Sequence, residues 1–310
     1  MLKVLVLGSA AGGGSPQWNC NSHVSKLVRK GSDGTSPRTQ SSIAVTSNDK
    51  DWFLFNASPD LGSQILKNEQ MHPKKDLRHS PISGVVLTNG DVDHVAGLLT
   101  LRERQNLSVY AHKRVHSVLK DNSIFNVLNP DYVDRREMLM NQNFELKNKD
   151  NVGSGIEIEA FEVPGKIALW LEDESKGKNF GTQEGDTIGL KISSKEDGKF
   201  FFYIPACAKM TDELANRIKG SEVVLFDGTL WKNNEMASSK VGEKTGQRMG
   251  HMNNSGEDGS IEAFKNLDVK RKVFIHINTT NPILLGESKE RKIVEENGWE
   301  VSYDGMEIKL

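Results

Sequence analysis

The 310-residue sequence is poor in cysteine and aromatic residues, and it contains no long apolar run. Two cysteines are too few for a disulfide scaffold, and nine prolines form no proline-rich linker. No stretch approaches the roughly 18 consecutive apolar residues of a membrane span. The 40 basic and 42 acidic residues are mixed along the chain, so no basic stripe is available for nucleic acid. We therefore expect a soluble protein with a small-molecule or protein partner, and no nucleic-acid or membrane partner.

The first residues, MLKVLVLGSAAGGG, superficially resemble a signal peptide, but the apolar run is too short for one. A buried strand that opens into a glycine turn fits this segment better. The turn lacks the second glycine of a dinucleotide fingerprint, because Ala10 stands in that place. We expect it instead to let the backbone approach a ligand or a metal loop closely. We further expect a cytoplasmic location and one domain over residues 1–310, because neither a linker nor a repeat is evident.

Short apolar runs that end abruptly at polar residues recur along the chain. They begin at Val4, Val85, Phe201, Val223 and Val273. Helical patterns lie between some of them, for example from His94 and from Met210, the latter with Thr211 as N-cap. This order predicts an α/β protein in which helices cover the sheets. Functional residues are expected in the loops beyond the strand ends.

Residues 88–94, TNGDVDH, place two carboxylates and an imidazole at a predicted strand-to-helix junction. Asp91, Asp93 and His94 offer the oxygen and nitrogen donors that zinc and non-haem iron prefer. A turn followed by an aspartate helix cap is the alternative interpretation. A calcium loop is excluded, because its glycine and distal glutamate are not at the required positions.

Three further polar residues follow apolar runs or lie in glycine-flanked loops, namely Asp227, His251 and His276. A single loop histidine is more often solvated than a metal ligand, but three such positions indicate a shared site. His112 and His116 have helical spacing, yet the glutamate of a zincin motif is missing, which favours an exposed helix face.

Eight blocks along the chain carry a family resemblance. They are LGSAAGGGSPQWNCN, RTQSSIAV, NASPD, DHVAGLLTLRE, DGTLWKNNEM, TGQRMGH, IHINTTNPIL and YDGMEI. In this order they resemble the coenzyme PQQ synthesis protein B family, a branch of the metallo-β-lactamase superfamily. The resemblance implies an αβ/βα sandwich of two mixed β-sheets flanked by helices, with the site along one edge. It also implies a role in making pyrroloquinoline quinone from a Glu-Tyr precursor.

The superfamily's metal motif, T-H-x-H-x-D-H, is altered here because Asn89 and Asp91 replace its first two histidines. By resemblance, Asp93, His94 and His276 remain to hold one metal ion, with Asp91 as a further ligand. Two histidines and a carboxylate with open positions are the ligands of non-haem Fe(II) oxygenases. The resemblance therefore implies hydroxylation of a tyrosine ring that depends on Fe(II) and O2, with Zn(II) as the other candidate metal.

The remaining roles rest on the resemblance for catalysis and on side-chain chemistry for substrate binding. Asp91, Asp227 and His251 are the candidate catalytic residues, and Arg38, Arg248 and Asn281 the candidate substrate-binding residues. Of the family's C-x-C-x-x-C run only Cys20 is kept, which makes it the one candidate for a structural metal. We expect a small peptide or quinone precursor as partner and allow for a homodimer. A metal-dependent hydrolase of phosphodiesters and a non-catalytic carrier of the quinone are the alternative functions.

Overall fold

The computed structural model of the chain describes residues 1–177 and 179–310. In this part the strands, in chain order, are β1 (Lys3–Gly8), β2 (Ser42–Thr46), β3 (Trp52–Phe55), β4 (Ile82–Val86), β5 (Leu107–Ala111), β6 (Val133–Glu137), β7 (Asn143–Lys147), β8 (Gly153–Glu162), β9 (Ile188–Ser194), β10 (Phe200–Ile204), β11 (Val223–Asp227), β12 (Arg271–Ile275), β13 (Trp299–Val301) and β14 (Glu307–Lys309). The α-helices are α1 (His23–Lys30), α2 (Leu61–Lys67), α3 (Val92–Val95), α4 (Lys113–Asp121), α5 (Asp212–Ile218), α6 (Glu235–Ser238), α7 (Gly246–Met249), α8 (Ser260–Ala263) and α9 (Lys289–Glu296).

The strands form two seven-stranded sheets with matching organisation. The first sheet has the order β14-β1-β2-β3-β4-β5-β6, and the second has the order β13-β12-β11-β10-β9-β8-β7. In the first sheet, pairing is antiparallel from β14 to β3 and parallel from β3 to β6. In the second, it is antiparallel from β7 to β10 and parallel from β10 to β13. Both sheets are therefore mixed, as predicted.

Apolar residues of both sheets pack into one central core. Phe53 and Phe55 of the first sheet meet Phe201 and Tyr203 of the second there. Two outer cores lie under the helices: α2 and α4 cover the first sheet, while α1, α5 and α9 cover the second. The layers confirm the predicted αβ/βα sandwich. The shared core supports one domain over residues 1–310, which stays our interpretation.

The helix predictions have mixed outcomes. The pattern from Met210 forms α5, and Thr211 caps it by accepting a hydrogen bond from the Leu214 N–H at 3.2 Å. The pattern from His94 does not give one long helix, because α3 ends at Val95 and a 3₁₀ segment follows. Gly97 explains the break: its N–H donates to the Ala57 carbonyl at 2.9 Å, so it packs against neighbouring backbone.

The prediction of an exposed helix face for His112 and His116 was wrong. His112 is buried and precedes α4 as its N-cap. His116 is partly buried, and its Nε2 lies 2.9 Å from the Arg136 carbonyl.

None of the helices in the described residues combines the length and apolar character needed to cross a bilayer.

Candidate metal centre

The predicted polar strand ends converge at one edge of the two sheets. The short helix α3, which follows β4, carries Asp93 and His94, and β11 and β12 end in parallel register at Asp227 and Ile275. His276 follows immediately with a φ of 60°. Non-glycine residues rarely adopt this left-handed conformation, and when they do it often marks a functional position. The ring of His276 thereby faces the loop of the opposite sheet.

Asp93, His94 and His276 each offer one ligand atom, and these atoms lie within 4.8 Å of one another. Asp93 Oδ2 is 3.1 Å from His276 Nε2 and 3.9 Å from His94 Nε2. His94 Nε2 is buried and has no hydrogen-bond partner among the described residues. A buried polar atom without a partner is costly unless something binds it. Two imidazoles and a carboxylate are a fitting donor set for zinc or iron(II).

The orientation of His94 is fixed by Asn89. His94 Nδ1 lies 2.8 Å from Asn89 Oδ1, so this nitrogen carries the proton and donates. The tautomer leaves Nε2 unprotonated and aimed at Asp93 and His276. In metal sites such a partner orients the ligand and tunes its basicity. The sequence showed only that Asn89 replaces a metal-binding histidine of the superfamily motif. It did not predict that Asn89 orients the His94 ring.

The ionisation of Asp93 and His94 favours cation binding, whereas the raised pKa of His276 opposes it, because a cation binds only the unprotonated ring. Burial lowers the pKa of His94 to about 4, so its ring is neutral at neutral pH. Burial opposes the charged forms of Asp93 and His276 as well. Neighbouring histidines nevertheless lower the pKa of Asp93, and a hydrogen bond and the charge of Asp93 raise the pKa of His276. Asp93 is therefore a carboxylate, while burial and the Asp93 charge raise the pKa of Asp91.

Asp227 forms a second cluster with His251 and His276. Its carboxylate is fully buried and accepts four hydrogen bonds. Oδ2 accepts from the Cys207 N–H at 2.9 Å and from His251 Nδ1 at 2.7 Å. Oδ1 accepts from the Thr229 N–H at 3.0 Å and from its hydroxyl at 2.6 Å. These bonds hold His251 with Nδ1 protonated, which leaves Nε2 as the free nitrogen.

Thr229 links Asp227 to the candidate metal ligands. Because its hydroxyl donates to Asp227, its oxygen is free to accept from His276 Nδ1 at 2.9 Å. His276 thus presents Nε2 to Asp93, in the orientation that a metal ligand needs. The rings of His251 and His276 are stacked with centroids 5.1 Å apart. This role of Thr229 was also missed from sequence, although the DGT block that contains it was noted.

Comparison with known proteins decides the family. Residues 51–277 match the beta-lactamase superfamily domain. The chain is 49% identical to coenzyme PQQ synthesis protein B of Rhodopseudomonas palustris and 48% identical to that of Xanthomonas campestris pv. campestris, with 100% of each chain covered. The chain belongs to the coenzyme PQQ synthesis protein B family. This confirms the resemblance seen in the sequence.

Solved structures agree with this family assignment. The Zn²⁺-bound PqqB from Methylobacterium extorquens is 47% identical and superposes with a TM-score of 0.93, with 99% of this chain and 100% of that chain covered. A diphosphatase of the PhnP family is 19% identical with a TM-score of 0.68, covering 100% of this chain and 98% of that one, and shares the fold. The metallo-β-lactamase fold of this family member is thereby established.

The other predicted site residues fall into two groups. The candidate metal ligands lie in a cleft that is also lined by Asp91 and His251. Asp91 Oδ1 accepts a hydrogen bond from the Leu169 N–H at 2.9 Å, and Asp91 belongs to neither three-residue cluster. Its roles as metal ligand and catalytic residue stay predictions. Arg248 lies next to the cleft, where its guanidinium pairs with Glu172. Arg248 directly precedes Met249, which lines the cleft, and its role in substrate binding stays a prediction.

Arg38 and Asn281 are not among the described residues that line the cleft, so their assignment to substrate binding gains no support and stays a prediction. The buried guanidinium of Arg38 donates to the carbonyl of Ser302. The amide of Asn281 is fully buried and donates to the Gly228 carbonyl at 2.9 Å. Both side chains thus bond to the protein framework behind the site, although Arg38 Nε has no hydrogen-bond partner among the described residues.

Cys20 lies in a network of hydroxyl groups. The Ser22 N–H contacts its sulfur at 3.5 Å, and Ser25 lies 2.9 Å from Thr279 through their hydroxyl oxygens. Serines thus occupy the places of the family's other two cysteines. In the described part of the chain, no metal-binding group includes Cys20, and neither cysteine forms a disulfide. A structural metal at Cys20 gains no support from this geometry.

The glycine turn after β1 packs against the metal loop, as expected. A Cβ atom at Gly12 would lie 3.3 Å from Asp93 Oδ2. We expect Gly12→Ala to push this carboxylate by a few tenths of an ångström and to weaken metal affinity about tenfold, as changes around a metal ligand commonly do. Competition with a chromophoric chelator measures the affinity.

Gly62→Ala is the matched control for Gly12→Ala. Gly62 lies in α2, where an added Cβ meets only Thr100 at an ordinary 3.8 Å. Its affinity for metal should equal that of the unmodified protein. If both alanine variants bind metal equally well, the glycine turn does not position Asp93.

Proposed function

We propose that this protein acts in pyrroloquinoline quinone biosynthesis as a metal-dependent hydroxylase of the tyrosine ring in a Glu-Tyr-derived precursor, with Fe(II) as metal and O2 as co-substrate. Family membership supports the pathway. The Zn²⁺-bound relative supports metal binding and keeps Zn(II) as an alternative metal. The observation that carries the reaction type is the group of Asp93, His94 and His276, two imidazoles and one carboxylate.

The arrangement favours one metal ion over two. Asn89 stands at a histidine position of the superfamily motif and is bonded to His94. Asp227 would have to give up some of its four hydrogen bonds to bridge two ions. A site with three protein ligands leaves positions open for substrate and O2. When bound there, iron(II) supplies the activation of O2 that ring hydroxylation requires.

The residues of the chain have distinct roles in this proposal. Asp93, His94 and His276 bind the metal, and Asn89 and Thr229 orient the two rings. His251 lines the same cleft, and its Asp227 partner keeps Nε2 ready to accept the phenolic proton. The cleft has a volume of about 360 Å³, including the space that is open to solvent.

A metal-dependent hydrolase is the second candidate function. The cluster of Asp227, His251 and His276 could hold a second ion, as a two-metal hydrolase requires. His276 belongs to both clusters, so the second ion would have to share this ligand or displace its bond to Thr229. This conflict ranks the hydrolase below the hydroxylase.

The test is the metal content of anaerobically purified protein, with Fe(II) and Zn(II) titrated into the apoprotein and O2 uptake followed with a Glu-Tyr peptide. We expect about one iron per chain and O2 uptake that requires the peptide. A Glu-Phe peptide, which lacks the phenol, is the matched control and should give no hydroxylated quinone precursor. Two zinc ions without O2 uptake would favour the hydrolase, and no metal at all would favour a carrier.

A further inference from the structure

The segment after β8 crosses the edge of the metal cleft. We call residues 163–177 the cover loop. Its Leu169 N–H donates to Asp91 Oδ1 at 2.9 Å, and its Trp170 Nε1 donates to the Gly90 carbonyl at 3.4 Å. Leu169 and Trp170 are 53% and 43% exposed, so the tip of the loop is not buried in a core. These two hydrogen bonds join the loop tip to Gly90 and Asp91, and bonds of this kind contribute modestly to stability.

A carboxylate from the cover loop is held by two cations at the cleft edge. Glu172 accepts from Arg248 through both oxygens, at 3.0 and 2.7 Å, and from Lys166 Nζ at 2.8 Å. The Glu172 side chain is only 8% exposed. Hydrogen bonds from Arg248 and Lys166 lower its pKa to about 2 despite burial, so it is ionised. Arg248 also stacks on Phe180, with its guanidinium carbon 3.6 Å from the ring centroid.

These cations lie where a substrate would enter. Lys166 lines the cleft together with Asp93, His94 and His276, and it is the only lysine or arginine among the described lining residues. Arg248 directly precedes Met249, which also lines the cleft. A planar guanidinium that is fixed by stacking suits two-point recognition of a carboxylate.

We propose that Arg248 and Lys166 form a carboxylate-binding subsite for the substrate. Without substrate, Glu172 of the cover loop occupies this subsite, and a substrate carboxylate displaces it. The exchange replaces one carboxylate with another, so the two cations are not left unpaired near the cleft. Release of Glu172 breaks the two hydrogen bonds that join the cover loop to Arg248, whereas Lys166 belongs to the loop itself. The inference rests on the proposed function for its substrate class, a peptide with glutamate or C-terminal carboxylates.

The test is direct binding to zinc-loaded full-length protein, measured by calorimetry. Zinc does not undergo redox chemistry, so binding is measured without turnover. The probes are Glu-Tyr and its uncharged-end counterpart, Gln-Tyr amide. If Glu172 occupies the subsite in about nine-tenths of the molecules, it weakens the affinity for Glu-Tyr about tenfold. We therefore expect Glu172→Gln to bind Glu-Tyr about tenfold more tightly than unmodified protein, with no such gain for Gln-Tyr amide.

Arg248→Gln and Lys166→Met test the subsite by removing its cations. Each should lose about tenfold in affinity for Glu-Tyr, and neither should lose affinity for Gln-Tyr amide. Glu159→Gln is the matched control, because Arg217 bonds Glu159 at 2.6 Å and lies over the ring of Phe161 at 4.7 Å. That variant breaks the same kind of stacked ion pair away from the cleft and should change neither affinity.

The proposal is overturned if Glu172→Gln binds Glu-Tyr no more tightly than unmodified protein. If this variant does not fold, the cation variants decide, and a retained preference for Glu-Tyr in them overturns the proposal. Failure of the proposed function looks different. Zinc-loaded protein would then still prefer Glu-Tyr, while iron-loaded protein would show no peptide-dependent O2 uptake.

Discussion

Replacing His276 with alanine is expected to reduce bound metal from about one ion per chain to almost none. The change removes one of the three donors in the cluster of Asp93, His94 and His276. It also deprives Asp93 of its 3.1 Å partner and Thr229 of the ring nitrogen that it contacts at 2.9 Å. The measurement is metal per chain after dialysis, together with the shift in melting temperature when metal is added, because a ligand that binds the native state stabilises it.

His23→Ala is the matched control for the His276 variant. His23 begins α1 and is exposed, outside both metal-binding clusters. Its metal content and metal-dependent melting shift should equal those of the unmodified protein. If His276→Ala keeps full metal and turnover, the ligand assignment is wrong. If it folds but its melting temperature no longer responds to metal, the loss lies in the site and not in the fold.

The sequence predicted the positions of the site better than the partners of its residues. Apolar runs ending before Asp91, Asp227 and His276 indicated strand ends, and the family resemblance implied a site along one edge of two facing sheets. The structure confirms both points. The left-handed conformation of His276 could not be predicted, because it depends on the turn that follows β12.

Partners distant in sequence account for what the sequence could not show. Glu172 and Arg248 are 76 positions apart, and nothing in their local pattern links them. Arg38 has the chemistry of an anion-binding residue, but its acceptor is the backbone of Ser302, 264 positions away. The residue type determines which hydrogen bonds and ion pairs a side chain can form. Which of these it forms within the protein depends on the fold.

Asp227→Asn is expected to lower the rate of the proposed peptide hydroxylation by about 10²- to 10⁴-fold while the metal stays bound. Each oxygen of the Asp227 carboxylate accepts two hydrogen bonds. The NH2 group of asparagine would therefore face hydrogen-bond donors in either orientation of the amide. With the NH2 toward His251, Nδ1 must become the acceptor and Nε2 carries the proton. His251 then cannot accept a proton from the phenol. The ¹⁵N shifts of the imidazole report the tautomer, and the rate with Glu-Tyr reports its consequence.

Glu235→Gln is the control that separates this effect from the loss of a buried charge. Glu235 is buried and accepts hydrogen bonds from Trp231 and Thr280, and it lies outside both clusters. Burial raises its pKa to about 7, so a neutral side chain resembles its protonated form and should leave the rate unchanged. A normal rate for Asp227→Asn with a reversed His251 tautomer would remove His251 from proton transfer. Loss of metal from Asp227→Asn would instead make Asp227 a ligand, and the two-metal hydrolase would then become the better description of this site.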